Sequence, residues 1–203
     1  MGFYQTRIVP RLVHLAMRQT TLIPYRRRVA ARATGRVLEI GFGSGLNLPL
    51  YGSEVTGIVG LERSSALLQI ARASLQGSRH VDLLEGSAET IPLDDRSIET
   101  AVTTWTLCTI PDVGRALHEV RRVLRPGGRL LFVEHGRSPD ASVRRWQDRL
   151  DPLWKPIAGG CHLNRPIADL ISESGFEIQI LDTGYGKGPK PLAFMYEGVA
   201  RPM

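Results

Sequence analysis

The sequence predicts a single α/β domain built on a mostly parallel sheet, and three observations carry this. Strand-like apolar runs alternate with helical patterns from about residue 36 onward. The first run, Val37-Leu38-Glu39-Ile40, feeds directly into a Gly41-x-Gly43-x-Gly45 bend. The links are short, so successive strands are joined through helices that cover both faces of the sheet. A chain of 203 residues suits one continuous core, and no internal repeat or long linker divides it.

Taken in order, Pro10 and Pro24 each stand where a helix can begin, since proline is tolerated at the first helical position. In the first of these helices Leu12, Leu15 and Ala16 form the apolar stripe. The two short helices make residues 1–34 an N-terminal cap over a domain of residues 35–203. Strands are expected at 36–41, 55–61, 79–84, 98–104 and 129–134, with helices near 64–75 and 112–124. Asp112 is the expected N-cap of the latter helix, with Val113, Ala116, Leu117, Val120 and Leu124 on its buried face. Arg125-Pro126-Gly127-Gly128 reads as a tight turn. Asn164 is expected to cap a helix running to about Ser174, stopped by Gly175. Strands at about 176–182 and 191–200 follow, joined by the Gly-rich stretch 184–189. Ahead of that helix, residues 136–163 are longer than an ordinary connection and hold two of the three tryptophans. Val143, Trp146, Leu150 and Leu153 fall there at helical spacing until Pro152 perturbs it, which suggests a substrate lid.

Composition excludes several classes. The chain is 42% hydrophobic and 23% charged, as in ordinary globular proteins. No apolar run reaches the ~18 residues of a membrane span, and the N-terminus lacks the apolar core of a secretory signal. Cys108 and Cys161 form neither a disulfide framework nor a paired metal spacing, so the expectation is a cytoplasmic protein with no metal. The net charge of +6 is uneven, with eight arginines and no acid in residues 1–38. Weak peripheral contact with an anionic membrane and a merely solvated helix face both fit this. No interleaved aromatics mark a nucleic-acid platform.

The bend after the first strand removes side chains where a nucleoside can lie against bare backbone, and Glu62 ends the next apolar strand. Together with Gly86-Ser87-Ala88-Glu89 and Val123-Leu124-Arg125-Pro126-Gly127-Gly128-Arg129-Leu130, these residues resemble the motifs of class I S-adenosylmethionine-dependent methyltransferases. Phe42 replaces the small residue usual between the first two glycines, and Glu99 stands where aspartate is common. The resemblance implies a Rossmann-like three-layer sandwich with seven strands in the order 3-2-1-4-5-7-6, the seventh antiparallel. It implies S-adenosylmethionine as cofactor, held by Glu39, Gly41, Phe42, Gly43, Ser44, Gly45, Asn47, Glu62, Arg63, Ser87, Ala88, Glu89 and Thr104.

The second half narrows the likeness. Thr104-Trp105-Thr106-Leu107-Cys108, Glu134-His135, Trp146-Gln147, Leu150-Asp151-Pro152-Leu153-Trp154 and Gly160-Cys161-His162-Leu163-Asn164-Arg165 resemble the microsomal methyltransferase-like group of alkyl-thiol S-methyltransferases. A thiol acceptor needs little beyond ionisation, since a free thiol with pKa near ~8.5 is only partly thiolate at neutral pH. His135, His162 and Arg165 are the candidate thiolate stabilisers, and Trp105, Leu107, Cys108, Trp154 and Cys161 the candidate substrate wall. Two other readings stand beside a small-molecule thiol methyltransferase. One is a lipid or quinone methyltransferase on a membrane surface; the other is a nucleoside-binding module without turnover.

Overall fold

The computed structural model describes residues 9–75 and 81–203. Arg7 of the basic segment and positions 79 and 80 of the third expected strand lie outside the described residues. Strands β1 (Gly35–Ile40), β2 (Val55–Glu62), β3 (Val81–Glu85), β4 (Ile98–Thr104), β5 (Leu124–His135), β6 (Phe176–Tyr185) and β7 (Phe194–Pro202) form one sheet. Their order is β3-β2-β1-β4-β5-β7-β6, with β7 antiparallel to both β5 and β6 and the other pairings parallel. This is the expected topology.

The central strands are apolar on both faces because helices cover both. On one side Leu38, Ile40, Val59 and Leu61 pack with α4 (Val113–Val123) and α6 (Ile167–Glu173) through Leu117, Val120, Ile167 and Ile171. On the other, Val37, Val102 and Val133 meet Val29 and Ala30 of α2 (Ile23–Ala30) and Ala71 of α3 (Ser65–Ser74). Strand alternation puts Glu39 on the same face as Val37, toward α2. A carboxylate thus enters the core beside the helix that supplies Arg26.

The helix α4 matches its sequence signals. Asp112 accepts from the Arg115 N–H at 2.9 Å, and Val113, Ala116, Leu117, Val120 and Val123 are buried; Leu124, expected on the same face, is buried too but as the first residue of β5. The Arg125–Gly128 turn is a four-residue excursion within β5: pairing with β4 passes from Ile98↔Leu124 to Thr100↔Arg129. Gly127 there has φ +79°.

Four expectations are corrected. The first helix, α1 (Val9–Met17), turns Leu12 and Leu15 to solvent, 51% and 67% exposed, and directs Val9, Val13 and Met17 inward. Both stripes are apolar in so short a helix, and the one that closes a cavity is the one buried. Asn164 does not cap α6. That helix begins after Pro166, two residues beyond it, while the Asn164 amide donates to Asp148 at 2.8 Å. The last strand starts at Phe194, because Lys190–Ala193 forms a helical turn, α7, around Pro191. The expected break at Pro152 is absent: α5 (Ala141–Ile157) runs through both Pro152 and Pro156. Both prolines are exposed, as are Asp148 and Pro152 four residues before them, so carbonyls freed of a partner can bond water. Among the described residues no helix is long and apolar enough to cross a membrane.

Candidate active site

At the carboxyl ends of β1, β2 and β4 lies a cavity of about 510 Å³, roofed by α1. Open α/β sheets collect their ligands at this edge. The loop after β1 forms its floor. Gly41 has φ +68°, and a Cβ there would stand 2.2 Å from Thr106 Oγ1, so no other residue fits without displacing β4's extension. Gly43 has φ +58°, and a Cβ at that position would meet nothing nearer than 3.8 Å, so its missing side chain leaves cavity space free. Phe42, the unusual residue of the loop, is 2% exposed. Its ring occupies the space left by Gly60 of β2, where an added Cβ would lie 2.6 Å from it.

Glu62 closes the other side. Its Oε2 accepts from the Gly43 N–H at 2.9 Å and its Oε1 from the Ser64 N–H at 2.8 Å. Burial holds its carboxyl above the ordinary range, against the opposing pull of these backbone donors. Of the thirteen residues expected at the cofactor, Glu39, Gly41, Phe42, Gly43, Ser44, Glu62, Arg63, Ser87, Ala88 and Thr104 line the cavity. Gly45, Asn47 and Glu89 stand behind it. The Glu89 carboxylate accepts from Ser87 Oγ and from the Asp112 N–H, tying the segment after β3 to the start of α4. A side-chain-free floor with a carboxylate beside it, in a cavity of this volume, fits a nucleoside and its ribose.

Glu39 anchors a buried polar network. Asn47 Nδ2 donates to its Oε1 at 2.8 Å and the Tyr51 hydroxyl to its Oε2 at 2.7 Å. Burial pushes its pKa up to about 7, offset in part by Tyr51, Arg26 and Asn47. Arg26 donates to Asn47 Oδ1 and Thr104 Oγ1, and its guanidinium lies 4.9 Å from the Trp105 ring centroid. His14 Nδ1 lies 2.7 Å from Ser44 Oγ on the cavity wall. Sequence reasoning missed Arg26, Tyr51 and His14. The Val9-Val13-Met17 spacing, which turns His14 toward the same side, was the available signal.

Trp105 takes φ +52°, a left-handed conformation costly for a bulky residue. Its N–H bonds to Val133 O at 2.9 Å and its indole to Met195 Sδ at 3.5 Å, which hold it there. The reversal carries Thr106 and Thr109 across the cavity, and Trp105 itself lines it. The other expected catalytic and substrate residues do not line it. His135, Cys108 and Cys161 gather one layer behind the wall, with His135 Nε2 2.9 Å from Cys161 Sγ. Arg165 joins them by donating to Leu107 O. Cys108 lowers the pKa of Cys161, with His135 acting in the same direction, while that contact and burial raise Cys108. Burial works against charge on His135, but Cys161 and Glu134 outweigh it and leave the imidazole above its ordinary value. His162 stands apart, its Nδ1 3.0 Å from Asp151 Oδ2. Trp154 is partly buried on α5, and Trp146 is 55% exposed.

The profile of the methyltransferase domain family matches residues 38–132. The chain is 34% identical over 176 residues to human thiol S-methyltransferase TMT1B, covering 82% of this chain and 69% of that protein. It is 34% identical over 129 residues to phosphatidylethanolamine N-methyltransferase of Cereibacter sphaeroides, covering 59% and 63%. A solved S-adenosylmethionine-dependent methyltransferase from Thermotoga maritima, described as a possible histamine N-methyltransferase, superposes with TM-score 0.68 at 25% identity, covering 98% and 99%. The chain spans 59% to 69% of the length of the thiol S-methyltransferases it matches.

Proposed function

Since the chain belongs to the S-adenosylmethionine-dependent methyltransferases, we propose that it methylates a small apolar thiol. S-adenosylmethionine supplies an electrophilic methyl group on a sulfonium. The residues suited to hold it are the Gly41–Ser44 loop, Glu62, Arg63, Ser87 and Ala88, with Glu39 as a nearby buried carboxyl. What remains for the chain is to exclude water, position the acceptor and receive it ionised.

The observation that carries the thiol reading is that both carboxylates on the cavity wall are already engaged, while His14 is tied through one of its two ring nitrogens. Among the described residues His14 pairs with Ser44, Glu39 with Asn47 and Tyr51, and Glu62 with Gly43 and Ser64. An amine or alcohol acceptor needs a base to take its proton, whereas a thiol ionises readily near neutral pH. Val9, Val13, Met17, Trp105 and Ile110 add an apolar patch to the wall. The likeness to thiol S-methyltransferases supports the same class. The test is S-adenosylhomocysteine release across hydrogen sulfide, short alkyl thiols, amines, phenols and quinones. Alkyl thiols are expected to react fastest; faster turnover of an amine or phenol overturns the reading.

A second reading, methylation of a lipid or quinone at a bilayer, is favoured by one observation. Leu12 and Leu15 are exposed on α1 beside Arg11, and Ile23 at the start of α2, which carries Arg26, Arg27 and Arg28. Apolar residues beside basic ones suit an anionic membrane surface. Salt-sensitive sedimentation with anionic liposomes, together with turnover of a quinone or phospholipid, would favour this reading over the first.

A further inference from the structure

Cys108, His135 and Cys161 come from three separate segments: the turn after β4, the end of β5 and the Gly-Gly turn after α5. Their donor atoms all lie within 4.8 Å of one another. Both thiols are buried, Cys108 at 2% and Cys161 at 9% exposure, and neither is in a disulfide. Spacing between neighbours along the chain speaks against a metal, but the fold assembles this group from residues far apart in sequence.

We propose that Cys108, His135 and Cys161 bind a divalent metal, zinc by ligand chemistry, and leave its fourth position to the acceptor sulfur. Two thiolates and an imidazole are the soft, borderline set that selects zinc over magnesium or calcium. Tetrahedral zinc requires donor–donor edges of about 3.5–3.8 Å. The three donors meet this if the 2.9 Å His135–Cys161 contact opens by less than about 1 Å and the longer edges, none above 4.8 Å, close by no more than about 1 Å. Two thiolates also neutralise a dication, so the metal adds no net charge to a buried region before an acceptor thiolate joins it. Metal entry releases the thiol protons to solvent.

Three protein donors with an open position are the pattern of reactive rather than structural zinc. Among the described residues this group has three such donors. The wall between it and the cavity is thin. Cys108 Sγ lies 3.6 Å from Trp105 O, and the Cys161 N–H bonds to Ala158 O at 3.2 Å. Trp105, Thr106, Thr109, Ala158 and Gly159 all line the cavity. A thiol reaching the fourth position loses its proton to solvent and is held as a metal thiolate, and the Trp105–Thr106 or Ala158–Gly159 backbone must give way for that sulfur to meet the methyl group. This last step rests on the thiol reading above.

The test is titration of the reduced full-length chain with Co²⁺ under argon, followed by addition of ethanethiol. One equivalent is expected to give intense thiolate-to-cobalt absorption and the visible bands of a four-coordinate ion, and ethanethiol should shift those bands. Cys108→Ser and Cys161→Ser should weaken binding by at least about tenfold while retaining affinity for S-adenosylhomocysteine. Should either variant fail to fold, zinc protection of both thiols from iodoacetamide in the unaltered chain answers the same question. Absence of the thiolate band, or visible bands indifferent to ethanethiol, overturns the proposal. Thiol methylation at full rate by chelator-treated protein that shows no cobalt band overturns the site and leaves the proposed function intact. A cobalt spectrum that responds to ethanethiol, in a protein that methylates no thiol, supports the site and sinks the function.

Discussion

The Gly43 N–H donates to Glu62 Oε2 at 2.9 Å, so the loop after β1 and the end of β2 are joined at the point where a ribose is expected to lie. Two hydroxyls competing for that carboxylate would each make a charge-assisted hydrogen bond. Glu62→Ala is therefore expected to weaken S-adenosylhomocysteine binding by about 10- to 100-fold, from a loss of roughly 1.5–3 kcal/mol. Glu89→Ala is the contrast, because that carboxylate binds Ser87 and Asp112 behind the wall. Calorimetry showing the two variants equally impaired would remove Glu62 from its assigned role.

The loop also depends on Gly41 opposite Thr106. An alanine there must adopt φ +68° and place its Cβ 2.2 Å from Thr106 Oγ1 and 2.5 Å from Cγ2. Left-handed backbone plus this overlap should cost at least about 2 kcal/mol, a Tm drop of roughly 4–8 °C for a chain of this size. Adding Thr106→Ala removes both of those atoms and leaves only the Thr106 Cβ, at 2.9 Å. The double variant should recover about 1 kcal/mol. Strict additivity in thermal melts would show that the steric account is mistaken.

What the sequence made legible follows from how local each signal is. The strands of the parallel sheet were readable because burial on both faces leaves uninterrupted runs such as Leu130–Val133. The α4 stripe and its Asp112 cap were readable because both lie within one helix. Asn164 misled because a capping residue is recognised by position alone, and Asp148, sixteen residues away, took its amide. The α1 stripe misled because two apolar faces competed and a cavity decided between them. His135 and Cys161 were legible as candidates, but their 2.9 Å contact was not. Arg26 looked like one arginine in a basic run, and only the sheet's alternation reveals the buried Glu39 beneath it.

That buried carboxyl sets a pH dependence. The folded state raises Glu39 from 4.5 to about 7, so between those values the native chain holds more protons than the unfolded one. Stability from this group is complete below about pH 4.5 and is lost as pH rises through 7, by an amount on the order of 3 kcal/mol. Glu39→Gln removes the titration, and the Tyr51 hydroxyl can turn to accept from the new amide. Urea unfolding at pH 5 and pH 8 should show a smaller difference for the variant than for the unaltered chain. An undiminished difference would mean that Glu39 ionises freely in the fold.

The lid hypothesis for residues 136–163 turns on Gln147, which is fully buried on α5. Its Oε1 accepts from the Ser138 N–H at 2.9 Å, and its Nε2 donates to Gly136 O at 2.9 Å and Pro191 O at 3.1 Å. One side chain therefore satisfies three backbone groups and fastens α5 to the end of β5 and to α7. Gln147→Leu leaves those groups buried and unpaired, at about 1–3 kcal/mol each. The helix should detach locally rather than the sheet unfold, because the Gly41–Ser44 loop and Glu62 lie on other elements. Affinity for S-adenosylhomocysteine is then expected to stay within about threefold, roughly 0.6 kcal/mol, since Gln147 bonds none of the residues expected to hold it. Turnover should fall at least about tenfold, as an unclosed site admits water and misplaces its acceptor. Calorimetry and initial rates on the same preparation check both halves. Parallel loss of binding and turnover would make this segment part of the core instead of a lid.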